Sequence, residues 1–284
     1  MTANVWQIGK VKITRIVEGE STGPMFVLPD ATPENIKAIP WLRPHFADEK
    51  GNCIVSIHAL VLDTPTHTIL VDTCLGNDKE RAIKMWGHLQ TKFLHDLRAA
   101  GYPPESIDTV LCTHLHTDHV GWNTQLVNGE WIPTFTNADY LFGAKEWEYT
   151  NEQRSNPMYE EFIVDSIQPI IDAGLAKFVE MDEGVCEQVR LEPTPGHTPG
   201  HVSVCIESEG EKAVITGDFL HHPCQMQEPY WECVADWDTP MAQRTRVEKL
   251  GEYADSNVLV FGTHFATPSA GRVVRSEDRF RFEV

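Results

Sequence analysis

The sequence predicts a layered α/β domain that carries its chemistry at the ends of strands. Three observations point there. Short apolar runs alternate with segments of helical periodicity along the whole chain. Several of those runs end on a histidine or an aspartate. Hydrophobic residues make up 41% of the 284, enough to bury a substantial core.

Residues 5–17 mix Val and Ile with Lys and Thr and are read as strand. Residues 18–52 contain Pro24, Pro29, Pro33, Pro40 and Pro44 and are expected to be irregular. A connection of that length is uncommon and often functional. Residues 54–62 and 68–71 read as strands around the turn Asp63-Thr64-Pro65-Thr66. Leu89, Phe93, Leu94 and Leu97 recur at helical spacing, with Gly101 and Pro103 as the stop. Residues 107–112 form a buried strand, 140–142 another, and 145–149 open a helix. Asn156-Pro157 starts a further helix, which Pro169 is expected to kink. Strands at 189–191, 202–206 and 213–216, a helix at 244–253 and a strand at 258–261 complete the pattern. No linker composition supports a boundary near residue 180, so the expectation is one domain over 1–284.

Charge and cysteine usage narrow the partners. Forty-two acidic against 23 basic side chains give a formal net charge of -19. So acidic a surface repels phosphate backbones and anionic lipid, so neither nucleic acid nor membrane is expected as a partner. No apolar stretch reaches the roughly 18 residues of a membrane span. The first residues lack the basic-then-apolar pattern of a signal peptide. Seven cysteines, an odd number without a CxxC pair, suit a reducing compartment and structural roles. A cytoplasmic protein is expected.

The strongest motif is His114-x-His116-x-Asp118-His119. Neutral imidazole and carboxylate are ordinary zinc ligands. In an extended segment residues i and i+2 point the same way, so His114 and His116 can face one ion. Asp118 and His119 follow where the chain turns and can face a second. One segment cannot close two coordination shells. His197 in Thr194-Pro195-Gly196-His197-Thr198-Pro199-Gly200-His201, Asp218 in Thr216-Gly217-Asp218 and His264 in Gly262-Thr263-His264 are the candidates for the rest. Asp218 and His264 each follow an apolar strand. Ligand type favours two Zn2+, although iron, manganese and cobalt occupy similar shells. His201 is read as a group that hydrogen-bonds or packs near the site; His58, His67, His88 and His95 show no partner pattern.

With these strings in this order, from Val71-Asp72-Thr73 to His264, nearly the whole chain resembles the metallo-β-lactamase superfamily. The resemblance implies an αββα sandwich, two central mixed β-sheets flanked by helices, with a dinuclear centre. It implies that His114, His116 and His197 bind one metal, that Asp118, His119 and His264 bind the other, that Asp218 bridges, and that Asp72 stands behind the ligands. The chemistry implied is attack of a shared hydroxide on a lactone or ester carbonyl, with Asp118 or Asp218 moving the proton. The layout resembles the N-acyl homoserine lactonase and methyl parathion hydrolase branches. Where many lactonases have Asp-x-x-Tyr, this chain has Asp218-Phe219-Leu220-His221. His221 is therefore a candidate donor to a developing oxyanion, or a supporting group behind the ligands.

The expected substrate is a small lactone or ester with an apolar portion. The alternative is a phosphotriesterase or arylesterase; a glyoxalase II-like thioesterase and a non-catalytic metal sensor stand behind it. Trp122 and Asn123 are candidate pocket residues. Phe26, Trp41, Phe46, Tyr230, Trp231 and Trp237 would line an apolar pocket, pack loops or meet a second subunit. The 18–52 arm makes a homodimer one expectation.

Overall fold

Strand pairing sorts the apolar runs into two seven-stranded sheets. A computed structural model describes residues 5–284; residues 1–4, on which part of the leader reading rests, lie outside the described residues. Chain order gives β1 (Val5–Ile8), β2 (Val11–Gly23), β3 (Cys53–Asp63), β4 (Thr68–Val71) and β5 (Thr109–Leu111). A separate hairpin, β6 (Thr124–Val127) and β7 (Glu130–Pro133), precedes β8 (Asp139–Gly143) and β9 (Ala176–Val179). The first sheet has the order β1-β2-β3-β4-β5-β8-β9, antiparallel up to β4 and parallel beyond it. The second runs β10 (Gly184–Cys186), β11 (Val189–Pro193), β12 (Val202–Ser208), β13 (Glu211–Ile215), β14 (Leu259–Phe261), β15 (Ala270–Ser276) and β16 (Arg279–Glu283) in sequence order. Its β13–β14 pair is parallel, so both sheets are mixed.

The cores follow from the period-2 burial of these strands. Ile13, Leu60, Leu62 and Ile69 of the first sheet meet Leu191, Val204, Ile206 and Ile215 of the second in one buried cluster. The other face of the first sheet packs Val61, Leu70 and Val110 against Phe93 and Leu97, and against Phe162, Ile163 and Ile167. The other face of the second packs Val214 and Val260 against Leu250 and Tyr253 of the helix Thr239–Tyr253. The result is the helix–sheet–sheet–helix sandwich that the motifs imply. Among the described residues no helix is long and apolar enough to cross a membrane.

Several segments differ from the sequence reading. Residues 5–17 are two strands, turned at Gly9 with a φ of 53°. A Cβ there would lie 2.4 Å from the Ser208 carbonyl oxygen, so glycine is required. The arm read as irregular is largely ordered: β2 continues to Gly23, and Thr32 caps a short helix, Pro33–Lys37. Leu28, Ile36, Leu42 and Phe46 of the arm are buried with Phe265 and Phe282 of this same chain. Apolar burial supplied the order that its prolines argued against. Instead of a simple kink at Pro169, a π-helical turn, Ile163–Ile167, precedes a new helix, Gln168–Asp172, with the proline in its first turn.

That π turn carries a buried ion cluster. Arg81 donates to both Asp165 carboxylate oxygens, at 2.6 and 3.1 Å. Lys79 Nζ donates to the Asp165 carbonyl and lies 3.7 Å from the Trp131 ring centroid. Burial pushes the Lys79 ammonium down to about 7 against the pull of Asp165. The cluster clamps the long loop after β4 onto the helical layer. Asp165→Asn leaves the Arg81 cation buried without its counter-ion, and is expected to cost about 3–5 kcal/mol. Urea unfolding measures it; a loss below about 1 kcal/mol would contradict the clamp.

Candidate metal centre

The donors leave the ends of strands and converge. Thr113 to His116 follow β5, and His116 precedes the short helix Thr117–Val120 that carries Asp118 and His119. His197 lies in the loop from β11 to β12, Asp218 in the turn after β13, and His264 in the turn after β14. All seven predicted ligands are thereby brought together.

They form two groups around one carboxylate. The ligand atoms of His114, His116 and His197 lie within 4.8 Å of one another, as do those of Asp118, His119 and His264. His116 Nδ1 is 3.1 Å from His114 Nε2 and 3.0 Å from His197 Nε2. Asp218 Oδ2 stands between the groups. Its distances to Nε2 are 3.1 Å for His264, 3.4 Å for His119, 3.8 Å for His197 and 3.9 Å for His114. His221 Nε2 is a fifth neighbour at 3.3 Å.

The far sides of three of the rings are committed elsewhere. His119 Nδ1 donates to Asp72 at 2.9 Å, and Asp72 accepts from the Thr113 backbone N–H at 2.8 Å. His197 Nδ1 donates to Asp236 at 2.9 Å, and His264 Nδ1 donates to the Ser56 carbonyl at 3.2 Å. Such contacts fix the tautomer and aim the Nε2 lone pairs inward. Asp72 itself sits at a φ of 56°, where the chain leaves β4.

A metal pair fits this donor set. His119 Nε2 and Asp218 Oδ1 are buried without a hydrogen-bond partner. Burial and neighbouring imidazoles hold His114 and His197 well below the usual histidine value, and burial above all holds His116 at about 4. Their lone pairs are therefore free. Burial also opposes charge on His119, but Asp218, Asp72 and Asp118 outweigh it and raise its value. Burial alone would push the Asp218 carboxyl up; His264, His119 and His221 outweigh it and hold the group well below the usual carboxylate range. Inward lone pairs of buried neutral imidazoles beside buried carboxylate call for a cation.

Four supporting groups add to the motif. His201 Nε2 accepts the Asp218 backbone N–H at 2.7 Å, in keeping with its expected place near the site. Gly217, at a φ of 58°, makes that approach possible, because a Cβ would lie 2.5 Å from His201 Nε2. Glu146 accepts from Leu115 N–H and Gly200 N–H, both at 3.1 Å, and so staples the first motif to the GHTPGH loop. Asp236, Glu146 and Cys233, whose Sγ is 3.6 Å from His221 Nε2, were not read from the sequence. No motif marks them; only an inventory of acids and thiols brought near by folding finds them. The expectation for Trp122 and Asn123 is corrected. Both are buried; Trp122 stacks on Phe93 at 5.7 Å and donates to Glu18, while Asn123 accepts from Thr73. Phe46 likewise belongs to the core, whereas Phe26, Tyr230 and Trp237 are exposed.

Two facing mixed sheets with a cluster of histidine and aspartate at their strand ends define a metal-site αββα protein. The Metallo-beta-lactamase superfamily model matches residues 54–274, and the chain belongs to that superfamily. An N-acyl homoserine lactonase from Bacillus cereus is 32% identical over 178 residues, 58% of this chain and 64% of that protein. The chain spans between 43% and 64% of the length of the lactonase relatives it matches. Among solved structures, AidC, a dizinc quorum-quenching lactonase in complex with a product, has a TM-score of 0.81 at 21% identity, covering 99% of this chain and 96% of its own. The hydrolase AbOPH of the beta lactamase superfamily has a TM-score of 0.80 at 25% identity, covering 99% and 97%.

The ring supports give a site-resolved prediction. Asp236→Asn should weaken one of two metal equivalents about 10–100-fold, and Asp72→Asn the other. Competition against a chromophoric chelator measures each step; equal weakening of both steps by either variant would contradict two separately supported groups.

Proposed function

We propose that this chain is a dinuclear-metal hydrolase that opens lactones or cleaves esters carrying an apolar portion, with zinc as its metal. The observation that carries the reading is the Asp218 carboxylate oxygen standing within 3.9 Å of imidazole nitrogens from both donor groups. His114, His116 and His197 would hold one ion, Asp118, His119 and His264 the other, and Asp218 both. Divalent cations so held acidify water and polarise a carbonyl oxygen. The lactonase relatives favour the carbonyl substrate over a phosphorus one.

The chain's own groups then have separate tasks. The Asp118 side chain, 13% exposed against 5% for Asp218, reaches solvent and is the better proton carrier. His221 Nε2 faces the centre 3.3 Å from Asp218 Oδ2, so the ring is placed to donate toward a developing oxyanion. An aromatic flank leads away from the centre: Tyr159 lies 6.3 Å from the His116 ring, Tyr149 6.1 Å from Tyr159, and Trp237 6.3 Å from Tyr149. Such a surface suits an acyl or aryl substituent. The cysteines are all free, in keeping with a reducing compartment such as the cytoplasm.

Metal-loaded protein should turn over lactones of graded acyl length faster than aryl esters or phosphotriesters. Rapid phosphotriester cleavage without lactone turnover would move the assignment to the methyl parathion hydrolase type. Chelation, or His116→Ala, should abolish turnover, and a fully active metal-free variant would overturn the reading. His221→Ala should lower kcat about 10²–10³-fold with a smaller change in KM.

A further inference from the structure

Beyond the two donor groups, a third cluster borders the centre and includes sulfur. The ligand atoms of His197, His221 and Cys233 all lie within 4.8 Å of one another. The cluster is shielded from solvent, with exposures of 2%, 4% and 1%. Cys233 lies three residues before Asp236, which accepts from His197 Nδ1 at 2.9 Å and leaves His197 Nε2 as the ligand atom. The same short loop therefore orients the histidine and delivers the thiol.

We propose that His197, His221 and Cys233 form an alternative, thiolate-bearing position for one of the two cations, overlapping the His114–His116–His197 group through His197. The proposal rests on the dinuclear reading above. Metal–nitrogen and metal–sulfur bonds of about 2.1 and 2.3 Å at a tetrahedral ion put the two donor atoms about 3.6 Å apart. His221 Nε2 and Cys233 Sγ are separated by 3.6 Å. One imidazole lone pair serves one ion, so the two positions exclude each other and the total stays at two. Hard-to-borderline ions keep the all-nitrogen group; a soft ion is drawn to sulfur. On coordination the Cys233 thiol releases its proton to solvent. An ion held there also takes up His221 Nε2, the atom assigned above to the developing oxyanion. Soft metals would thereby load the protein fully and still inactivate it.

The test uses the full chain with cadmium, which is softer than zinc and reports thiolate ligation by charge-transfer absorbance. Wild-type protein carrying two cadmium equivalents should show the thiolate band, with activity lost. Cys233→Ser should bind two equivalents without the band. His221→Gln should shift half-saturation of the band to higher cadmium. If Cys233→Ser fails to fold by circular dichroism, His221→Gln and the cadmium NMR resonances of the wild type decide the matter, through a resonance in the thiolate range. Two bound ions with no thiolate band in the wild type, or with the same band in Cys233→Ser, overturn the proposal and leave the dinuclear reading standing. A protein that binds no cation at all fails that underlying reading instead.

Discussion

The structure is organised around a concentration of inward-facing imidazole nitrogens about one buried carboxylate, an arrangement suited to bind cations. Asp218 Oδ2 has five imidazole nitrogens within 3.9 Å, and His119 Nε2 and Asp218 Oδ1 find no hydrogen-bond partner. Each uncompensated buried polar group costs about 1–3 kcal/mol. A domain whose net stability is of order 5–15 kcal/mol can bear only a few such sites. A cation bound there would couple metal loading to folding, and the acidic balance of the chain is consistent with a centre that imports positive charge.

The sandwich pays for that concentration with rigidity around it. Donors sit just past strand ends, where the sheets end and the backbone is free to turn, while the shared core holds the two sheets in register. Rings that must present Nε2 are anchored at Nδ1 by Asp72, Asp236 or the Ser56 carbonyl. Glu146 ties the two histidine loops together, and His201 holds the Asp218 backbone. These contacts separate positioning from chemistry: the groups that would touch a substrate are held by others that do not.

Much of this was legible in the sequence because the chemistry is dense and local. Four ligand candidates fall within six residues, and each remaining one follows a small residue in a recognisable string. Strand and helix order could be read wherever apolar runs were long. What escaped notice had no local signature. Asp236 and Glu146 are two acids among 42, and Cys233 is one thiol among seven; only their placement by folding distinguishes them. The prolines of the arm at 18–52 point to irregular structure, but its apolar residues complete the second outer core and order it. Trp122 neighbours His119 in sequence and is expected near substrate, yet it packs with Val120 and Phe93 in the outer core of the first sheet. A Cβ on Gly121 would meet the Leu75 carbonyl at 1.9 Å, so the turn there is a close backbone crossing.

Anomalous scattering on either side of the metal absorption edge, from crystals of the chain purified without chelators, tests the central claim most directly. Two peaks are predicted, one beside His114, His116 and His197, the other beside Asp118, His119 and His264, with the Asp218 carboxylate between them. A well-ordered centre with no anomalous peak, or peaks only at surface residues, would contradict it.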